Sequence, residues 1–581
     1  MNDLKEKKKI IFRIETIAVG AVLFVYGFIL YYINRGISCD EGFYLLGFLK
    51  NQELGAMITD FHAIVRAITP NAMQDNVMYF RYLRFGLGFI SVLLFGLSSF
   101  YWLKNRIKTF KISCVLYVSL ILLGGAMSFA YATPTISFDH LQHIFFCFAF
   151  VAFINADLVK SNIARVVNFL ISGFFVMLAM ANYLPSGILL FVVFIALIII
   201  LNFNKSALSR IAFLFVGILI GAFLYHIFVS PVDVLVKNIV FVLNSITNDE
   251  SSSGLNIMSL IANTRLSAGN VIGSYDSLSL IFMMLFSIIL FLLIQLPAFL
   301  IGYFSRKINI HSFIVAIAIV LVICSFFFLR EIYFLRAFLY YLPVSFTLGI
   351  WLAEQKSLKN KLYYSDFLMF LIFTLLPFMG VFGTNQTIAI KIIIFMPFWM
   401  CLFLAMVNNL KISKKQRHLL ILFVIGLYSI GYLVQGHFST RTHSHYSIHR
   451  ARYAMDFGVR YRNVTVSRFE KEYYRTFVET LDSIGFKVGD TALAFGEHLR
   501  GLYLIGGYFH GGLVFFITQY NIPTERARFI FLFRKGEELF KSQLKNSGWN
   551  FPEDYERIEL GRMSEVFPEG DFNTVIYFIR E

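Results

Sequence analysis

Long apolar stretches alternate with short polar segments along most of the chain. Apolar runs of about 20 residues, enough to cross a bilayer as a helix, recur between residues 14 and 434. One long run, at residues 166–203, is divided by Asn182 and Pro185, and the proline favours a break in the helix. Thirteen transmembrane helices are predicted, at residues 14–33, 80–103, 112–130, 140–156, 166–181, 187–203, 211–229, 279–303, 311–329, 337–353, 367–382, 388–408 and 418–434. The chain is therefore expected to be an α-helical polytopic membrane protein.

The pattern changes after residue 434, where polar positions become frequent. Ser467 followed by Glu470 is a capping box, which predicts the start of an amphipathic helix that ends at Gly485. Three short apolar runs are typical of strands, at residues 491–495, 529–533 and 574–579. Residues 1–434 are therefore expected to form a transmembrane domain, and residues 435–581 a small α/β domain.

Composition and charge support this division. Of the 581 residues, 58% are apolar and 15% are charged, whereas soluble domains contain roughly 25% charged residues. The formal net charge of +16 is typical of nucleic-acid binding. However, residues 1–434 hold 32 basic and 17 acidic residues, and residues 435–581 hold 19 and 18. Because the excess lies in the membrane region, no nucleic-acid partner is expected.

The basic residues also predict the orientation of the helices. With the N-terminus in the cytoplasm, the cytoplasmic segments contain 22 of the 32 basic residues of the membrane region, as the positive-inside rule predicts. The chain is therefore expected to be a multi-pass protein of the cell inner (plasma) membrane. This orientation places residues 435–581 and two long loops, 34–79 and 230–278, on the extracytoplasmic side.

The first outer loop carries an apolar helix pattern and two adjacent acidic residues. Phe43, Leu46 and Leu54 suit the apolar face of a helix lying along the membrane surface. Asp40 and Glu41 are ionisable groups at a membrane boundary, where such groups are candidates for function. Adjacent carboxylates can act as a general base and its partner, or as metal ligands. The alternative is a solvated loop that happens to contain two acids.

The Asp40-Glu41 pair, followed by a small residue and aromatic residues after the first helix, resembles the signature of the GT-C membrane glycosyltransferases. More narrowly, it is similar to the bacterial relatives of the protein O-mannosyltransferases and of the lipid A aminoarabinose transferase. Other stretches agree in order with the same family: Arg81 to Arg84, Thr133 to Asp139, and Arg336 to Pro343. Thirteen helices and an outer C-terminal α/β domain also match that architecture.

The resemblance implies a sugar donor linked to polyprenyl phosphate, and transfer at the outer leaflet to a lipid, glycan or protein acceptor. Asp40 would accept the proton of the acceptor hydroxyl, and Glu41 would orient Asp40 or help to hold a divalent metal ion. Basic residues near outer helix ends are candidates for binding the donor phosphate, although such side chains also extend toward lipid headgroups. These residues are Arg81, Arg84, Arg330, Arg336 and Lys391, of which Arg336 is favoured by its motif.

The chain also departs from the family pattern. It has no Glu-Lys-Pro segment in the first outer loop, so the aminoarabinose donor is not implied. Asn182-Tyr183 stands where many relatives have a lysine, so one phosphate contact is expected to be missing. Further candidates for contact with the substrate, or for support of the site, are Asp60, Asp139, Tyr340 and Tyr341. For Asp60 the alternative is a solvated loop residue.

A transporter or flippase of a lipid-linked glycan is the alternative function. Transporters usually place ionisable residues and broken helices near the bilayer midplane, in repeated halves of the chain. Here the ionisable groups cluster at one face of the membrane, which favours an enzyme. The chain lacks a phosphate-binding glycine loop and a dinucleotide-binding motif, which disfavours a cytosolic enzyme that uses nucleotide sugars.

Overall fold

A computed structural model describes the two ends of the chain and part of its middle. The described residues are 2–38, 40–55, 60–107, 110–131, 134–201, 206–231, 233–238, 240, 373, 376, 379, 393–409, 414–433, 450–513, 525–546, 548–563 and 570–580. The predicted spans at 279–303, 311–329 and 337–353 lie outside them, as does most of the predicted loop at 230–278.

The secondary structure in the described part of residues 1–434 is mainly helical. They are α1 (Asn2–Tyr31), α2 (Glu41–Phe48), α3 (Phe61–Ile68), α4 (Val77–Arg106), α5 (Cys114–Ala126), α6 (Ser128–Tyr131), α7 (Phe138–Leu158), α8 (Asn162–Asn182), α9 (Leu184–Leu201), α10 (Ser206–Phe228), α11 (Met396–Asn409) and α12 (Lys414–Leu433). Within the described residues, seven helices are long and apolar enough to cross a membrane: α1, α4, α7, α8, α9, α10 and α12. The chain is thus a multi-pass membrane protein, and the total of thirteen spans stays a prediction.

Polar residues begin several of these helices, and apolar residues cover their outer faces. The Asn76 side chain accepts hydrogen bonds from two backbone N–H groups at the start of α4, and Ser161 caps α8 in the same way. The predicted break near residue 182 is confirmed, because α8 ends at Asn182 and α9 begins at Leu184. Large side chains such as Leu23 and Phe223 stay exposed, as expected for surfaces that contact lipid.

Helices α8 and α10 approach each other closely at two glycines. A Cβ atom on Gly173 would lie 2.1 Å from the Leu214 carbonyl oxygen, and one on Gly217 would lie 2.3 Å from the Leu170 carbonyl oxygen. Small residues at such crossings let helix backbones touch inside a membrane, where van der Waals contact is a main source of attraction. The two glycines therefore set the distance between α8 and α10.

The C-terminal domain, described here for residues 450–580, is built on a five-stranded sheet. Its strands are β1 (Tyr453–Ala454), β2 (Thr465–Val466), β3 (Thr491–Ala494), β4 (Tyr508–Phe509), β5 (Phe529–Phe533), β6 (Glu556–Arg562) and β7 (Asn573–Phe578), and its helices are α13 (Arg468–Ser483), α14 (His498–Leu504) and α15 (Glu537–Asn546). The sheet order is β4-β3-β5-β7-β6, with β3 parallel to β4 and β5, and β7 antiparallel to β5 and β6. Strands β1 and β2 form a separate antiparallel pair.

The sequence prediction for this domain is confirmed at its most apolar elements. The Ser467 side chain accepts a hydrogen bond from the Glu470 N–H at 3.2 Å, so the predicted cap starts α13. Strands β3, β5 and β7 form where apolar runs predicted them. Strand β6 was missed because its residues, Glu556 to Arg562, are largely polar and partly exposed.

The first loop, residues 32–76 between α1 and α4, lies against the C-terminal domain. The Gly36 N–H donates to the Thr465 carbonyl at 2.8 Å, and the Thr465 N–H donates to the Asn34 carbonyl at 2.9 Å. Further along, the Gly55 N–H donates to the Leu513 carbonyl at 2.9 Å. The loop and the C-terminal domain therefore share one end of the helix bundle, which agrees with the alternation predicted for the spans.

The helix that was expected to lie along the membrane surface forms, but the prediction that one of its faces contacts lipid is wrong. It is α2, and every residue from Glu41 to Phe48 is buried. The apolar residues Phe43 and Leu46 that suggested a lipid-facing side are packed inside the protein instead, because α2 lies against α14 of the C-terminal domain and against α3. This packing brings the Asp40-Glu41 pair into contact with two other parts of the chain.

Candidate active site

Asp40 lies at the start of α2, immediately before its first residue. It occupies the N-cap position, and its backbone carbonyl accepts a hydrogen bond from the Tyr44 N–H at 3.1 Å. The Asp40 carboxylate does not cap the helix, and the residue is half-buried rather than enclosed. Asp40 is therefore less enclosed than Glu41, which follows it.

Glu41 has a different environment, because its carboxylate forms a buried ion pair with Arg81 of α4. The Arg81 Nε lies 3.0 Å from one carboxylate oxygen and a terminal nitrogen lies 2.8 Å from the other, and both side chains are fully buried. The same guanidinium donates to the carbonyls of Ile33 at 2.9 Å and Gly36 at 2.7 Å. Arg81 therefore ties the beginning of the first loop to α4.

This ion pair affects two of the sequence predictions. Glu41 was expected to assist Asp40 or to hold a cation, and Arg81 was expected to bind a phosphate. In the structure each of these side chains has the other as its partner, so their geometry supports the position of the loop. The roles of Glu41 toward a cation and of Arg81 toward phosphate stay predictions that this arrangement does not favour.

Asp139 lies at the same end of the helices as Asp40, because Phe61 of α3 packs against Tyr44, at 5.3 Å between ring centroids, and against Phe138, which precedes Asp139, at 6.1 Å. Asp139 is buried in the first turn of α7. Burial raises the pKa of Tyr44 well above its ordinary value, and the charges of Asp40 and then Asp139 raise it further. Asp139 also raises the pKa of Tyr183, after the larger effect of burial. Two carboxylates distant in sequence thus act on one phenol.

Tyr44 is one of the aromatic residues that follow the Asp40-Glu41 pair, but it was not predicted as a site residue. Its ring packs edge-on against Phe61, with 5.3 Å between ring centroids, and against Phe43 at 5.8 Å. The aromatic character of residues 43 and 44 was visible in the sequence. What the sequence does not show is that the turn of α2 directs Tyr44 toward the charge of Asp139.

Asp60 is buried, so the alternative of a solvated loop residue does not hold. One carboxylate oxygen accepts a hydrogen bond from the Tyr225 hydroxyl at 2.7 Å, and the other accepts one from the Asn238 amide at 2.7 Å. Burial raises the pKa of Asp60, and the two hydrogen bonds oppose that rise. Asp60 connects the first loop to the end of α10 and to residues 233–238, and its contact with a substrate stays a prediction.

Arg84 lines a small cavity between α4, α5, α6 and α7, whose walls are mostly apolar. A terminal nitrogen of Arg84 donates to the Ser128 carbonyl at 3.0 Å, and the guanidinium lies 4.5 Å from the centroid of the Phe129 ring. His140 and His143 line the same cavity. Since His140 directly follows Asp139 in α7, the cavity lies toward the same end of that helix as Asp139.

Asn182, which the family resemblance aligned with a lysine, belongs to a hydrogen-bond network between helix ends. Its amide donates to the Gln142 side chain at 2.7 Å and to the Phe138 carbonyl at 2.8 Å. The Gln142 amide donates in turn to the Ser186 hydroxyl at 2.7 Å. These bonds join α7, α8 and α9 next to Asp139, so Asn182 stabilises the site rather than supplying positive charge.

The remaining predicted site residues lie outside the described part of the chain: Arg330, Arg336, Tyr340, Tyr341 and Lys391. Metal binding also stays a prediction. Among the described residues, no group of three or more histidine, cysteine, aspartate or glutamate side chains is arranged to hold a metal ion.

Comparison with known proteins finds little close similarity. No protein-family model matches the chain. No curated protein matches it either. Among solved structures it is similar to the crystal structure of an oligosaccharyltransferase from Archaeoglobus fulgidus in complex with Zn and sulfate, at 11% identity and a TM-score of 0.44. The match covers 96% of this chain and 72% of that one. Likeness at this level does not support an inference about function.

Proposed function

We propose that the chain is a membrane glycosyltransferase of the GT-C type. It transfers a sugar from a polyprenyl-phosphate donor to a lipid, glycan or protein acceptor at the extracytoplasmic face. The observation that supports this proposal is the packing of Tyr44 of α2 and Phe138 of α7 on the same ring, Phe61, so that Asp40 and Asp139 lie at the same end of the helices as Arg84 of α4. A base for the acceptor and a cation for the leaving phosphate then lie at one end of the helices. The resemblance of the loop motif supports the same reaction.

Asp40 is the general base in this proposal. As the acceptor hydroxyl oxygen attacks the anomeric carbon, the bond from that carbon to the phosphate oxygen breaks and the hydroxyl proton passes to Asp40. A positioned base of this kind typically accelerates a reaction by about 10²–10⁴-fold. Asp40 is suited to this step because it is half-buried and does not cap α2. Asp139 and Tyr44 would hold the acceptor hydroxyl against it.

Arg84 stabilises the departing polyprenyl phosphate. Its guanidinium is buried in α4, where a charge-assisted hydrogen bond to phosphate would be stronger than in water. Arg330, Arg336 and Lys391 complete the phosphate site in this proposal, and Tyr340 and Tyr341 contact the substrate, as the family resemblance implies. Glu41 and Arg81 act indirectly, by keeping the first loop in place.

The proposal is tested by transfer of radiolabelled sugar from a panel of polyprenyl-phosphate donors by the purified protein in proteoliposomes. We expect Asp40→Asn to lower kcat by at least about 100-fold, because the amide cannot accept the proton. Asp233→Asn is the matched control, since Asp233 is an exposed acid paired only with its neighbour Lys237 among the contacts seen here. Full activity of Asp40→Asn would rule out Asp40 as the base.

The same vesicles test the alternative function. A lipid-linked glycan that crosses the bilayer, with no sugar transferred to any acceptor, would favour a transporter or flippase. We expect transfer and no crossing that depends on the protein.

A further inference from the structure

Both ends of α2 are held by the C-terminal domain. At the first end, Gly42 lies directly against the backbone of α14. A Cβ atom on Gly42 would lie 2.4 Å from the Arg500 nitrogen and 2.6 Å from the Leu499 carbonyl carbon. These are backbone atoms, which cannot move aside as the end of a flexible side chain does. The absence of a side chain at Gly42 therefore allows α2 and α14 to touch.

At the other end, four residues beyond α2, the Gln52 side chain pairs with the edge strand β4. Its amide nitrogen donates to the Phe509 carbonyl at 3.1 Å, and its amide oxygen accepts from the Phe509 N–H at 2.6 Å. These two bonds are the ones that a residue of an adjacent strand would exchange with Phe509. Gln52 is only 2% exposed, so the pairing is enclosed and fixed in one geometry.

Asp40 lies between these contacts and the membrane helices. On one side, Arg81 of α4 binds Glu41 and the Gly36 carbonyl. On the other side, Arg500 of the C-terminal domain is fully buried, and one of its terminal nitrogens lies 3.4 Å from the Ile37 carbonyl. The short segment that contains Asp40 is thus held from both directions.

We propose that the C-terminal domain positions the base Asp40, with Gly42 and Gln52 as the two positioning residues. This inference rests on the proposed function, in which Asp40 accepts the proton of the acceptor. A displacement of about 1 Å in a catalytic group can cost about 100-fold in rate. Because Asp40 is only two residues before Gly42, a shift of α2 away from α14 moves Asp40 directly.

The first test is Gly42→Ala in the full-length protein. Alanine is the better helix former, so the substitution would be tolerated if Gly42 had no contact to preserve. The added methyl group must instead push α2 away from α14. We expect kcat for sugar transfer to fall at least about 10-fold while KM for the donor changes less than about twofold. Gly27→Ala is the matched control, because a Cβ there meets nothing within 4 Å, and its kcat should equal that of the wild type.

The second test is Gln52→Ala, which removes the pairing with Phe509 without adding an atom. We expect a fall in kcat of about three- to tenfold, since one of the two contacts remains. Both variants are compared with Asp40→Asn in the pH dependence of kcat. A displaced base should flatten the limb of the profile that reports the base, whereas a general loss of folded protein should lower the whole profile and leave its shape unchanged.

The outcomes separate this inference from the proposed function. If Asp40→Asn is inactive while Gly42→Ala and Gln52→Ala keep the wild-type kcat and pH profile, the positioning role is overturned and the base assignment stands. If the wild type transfers no sugar, or Asp40→Asn is fully active, both proposals fail. Should Gly42→Ala not give folded protein by size-exclusion chromatography, Gln52→Ala decides alone, and a full kcat for that variant overturns the inference.

Discussion

At the scale of single residues, Asp40 and Glu41 are neighbours in the chain but differ in what they contact. Glu41 is fully buried and bound by Arg81, whereas Asp40 is half-buried beside Tyr44. A buried ion pair depends strongly on both partners, because removing one leaves the other as an uncompensated charge in a medium of low dielectric. Substitution of Glu41 and substitution of Asp40 should therefore have different effects on the stability of the protein.

This difference gives a prediction for Glu41→Gln. The neutral amide leaves the buried Arg81 guanidinium without its counter-charge, so we expect the unfolding free energy to fall by roughly 3–5 kcal/mol. Asp40→Asn should lower it by less, because Asp40 is half-buried and the amide keeps the shape of the carboxylate. The measurement is thermal unfolding of both variants in the same detergent. Equal melting temperatures for the two variants would contradict this division of roles.

The site was only partly predictable at this scale, for a physical reason. Placing Asp40, Glu41 and Arg81 near one another required only that the first loop and the start of α4 share a membrane face. Which of the two carboxylates binds Arg81 depends on the direction in which α2 turns. That direction depends in turn on the contacts of α2 with α14. Asp60 was ambiguous for the same reason, because its burial comes from Tyr225 and Asn238, far along the chain.

At the scale of elements, long apolar helices follow from the sequence because a bilayer imposes both their length and their composition. Helices α8 and α9 are separated at Tyr183, as the polar residues in that run predicted. The surroundings of α2 were not predictable, because an apolar helix of eight residues suits a membrane surface and a protein interior equally well. Strand β6 was missed because only Ile558 and Leu560 are apolar in it, which is too short an alternation to predict a strand.

The contact between α8 and α10 gives a prediction at this scale. Gly173→Ala introduces a Cβ atom 2.1 Å from the Leu214 carbonyl oxygen, so the two helix backbones must separate. We expect a loss of about 1–3 kcal/mol in the free energy of unfolding, as for other overpacked interiors. Gly20→Ala is the control, since no atom lies within 4 Å of a Cβ at that position.

The melting temperatures of these two variants, measured in one detergent, provide the test. Helix α10 carries Tyr225, which binds Asp60, so the Gly173→Ala variant should also loosen the first loop. Limited proteolysis within residues 50–60 should then become faster than in the wild type. A melting temperature equal to that of Gly20→Ala would show that the crossing tolerates a methyl group.

At the scale of the whole molecule, the two ends of the helix bundle differ in chemistry. One end carries the first loop, the C-terminal domain and the Asp40–Asp139 site. At the other end, Arg106 of α4 pairs with Asp157 of α7 at 2.7 Å, and the Trp102 indole donates to the same carboxylate at 2.8 Å. The distribution of basic residues predicts that this second end faces the cytoplasm.

The orientation is tested by labelling single cysteines, after the five native cysteines are replaced. Val488→Cys lies in the C-terminal domain at a side chain that is 66% exposed, and Ile163→Cys lies near Asp157 at one that is 77% exposed. We expect a membrane-impermeant maleimide to label Val488→Cys in intact cells, and Ile163→Cys only after the membrane is permeabilised. The reverse result would place the proposed site in the cytoplasm and contradict transfer at the outer face.

The pairing of Gln52 with β4 has a further consequence, for how the protein avoids aggregation. The open edge of a sheet is a template on which strands of other molecules can add. Here residues 52–55 cover the backbone groups of Phe509 and Leu513 at that edge. The covering segment precedes its partner by 457 residues, so during synthesis it is inserted with the first helices long before the domain emerges. When the C-terminal domain emerges, the segment that covers its edge strand is therefore already in place at the membrane, and the domain does not depend on a second molecule to cover that edge.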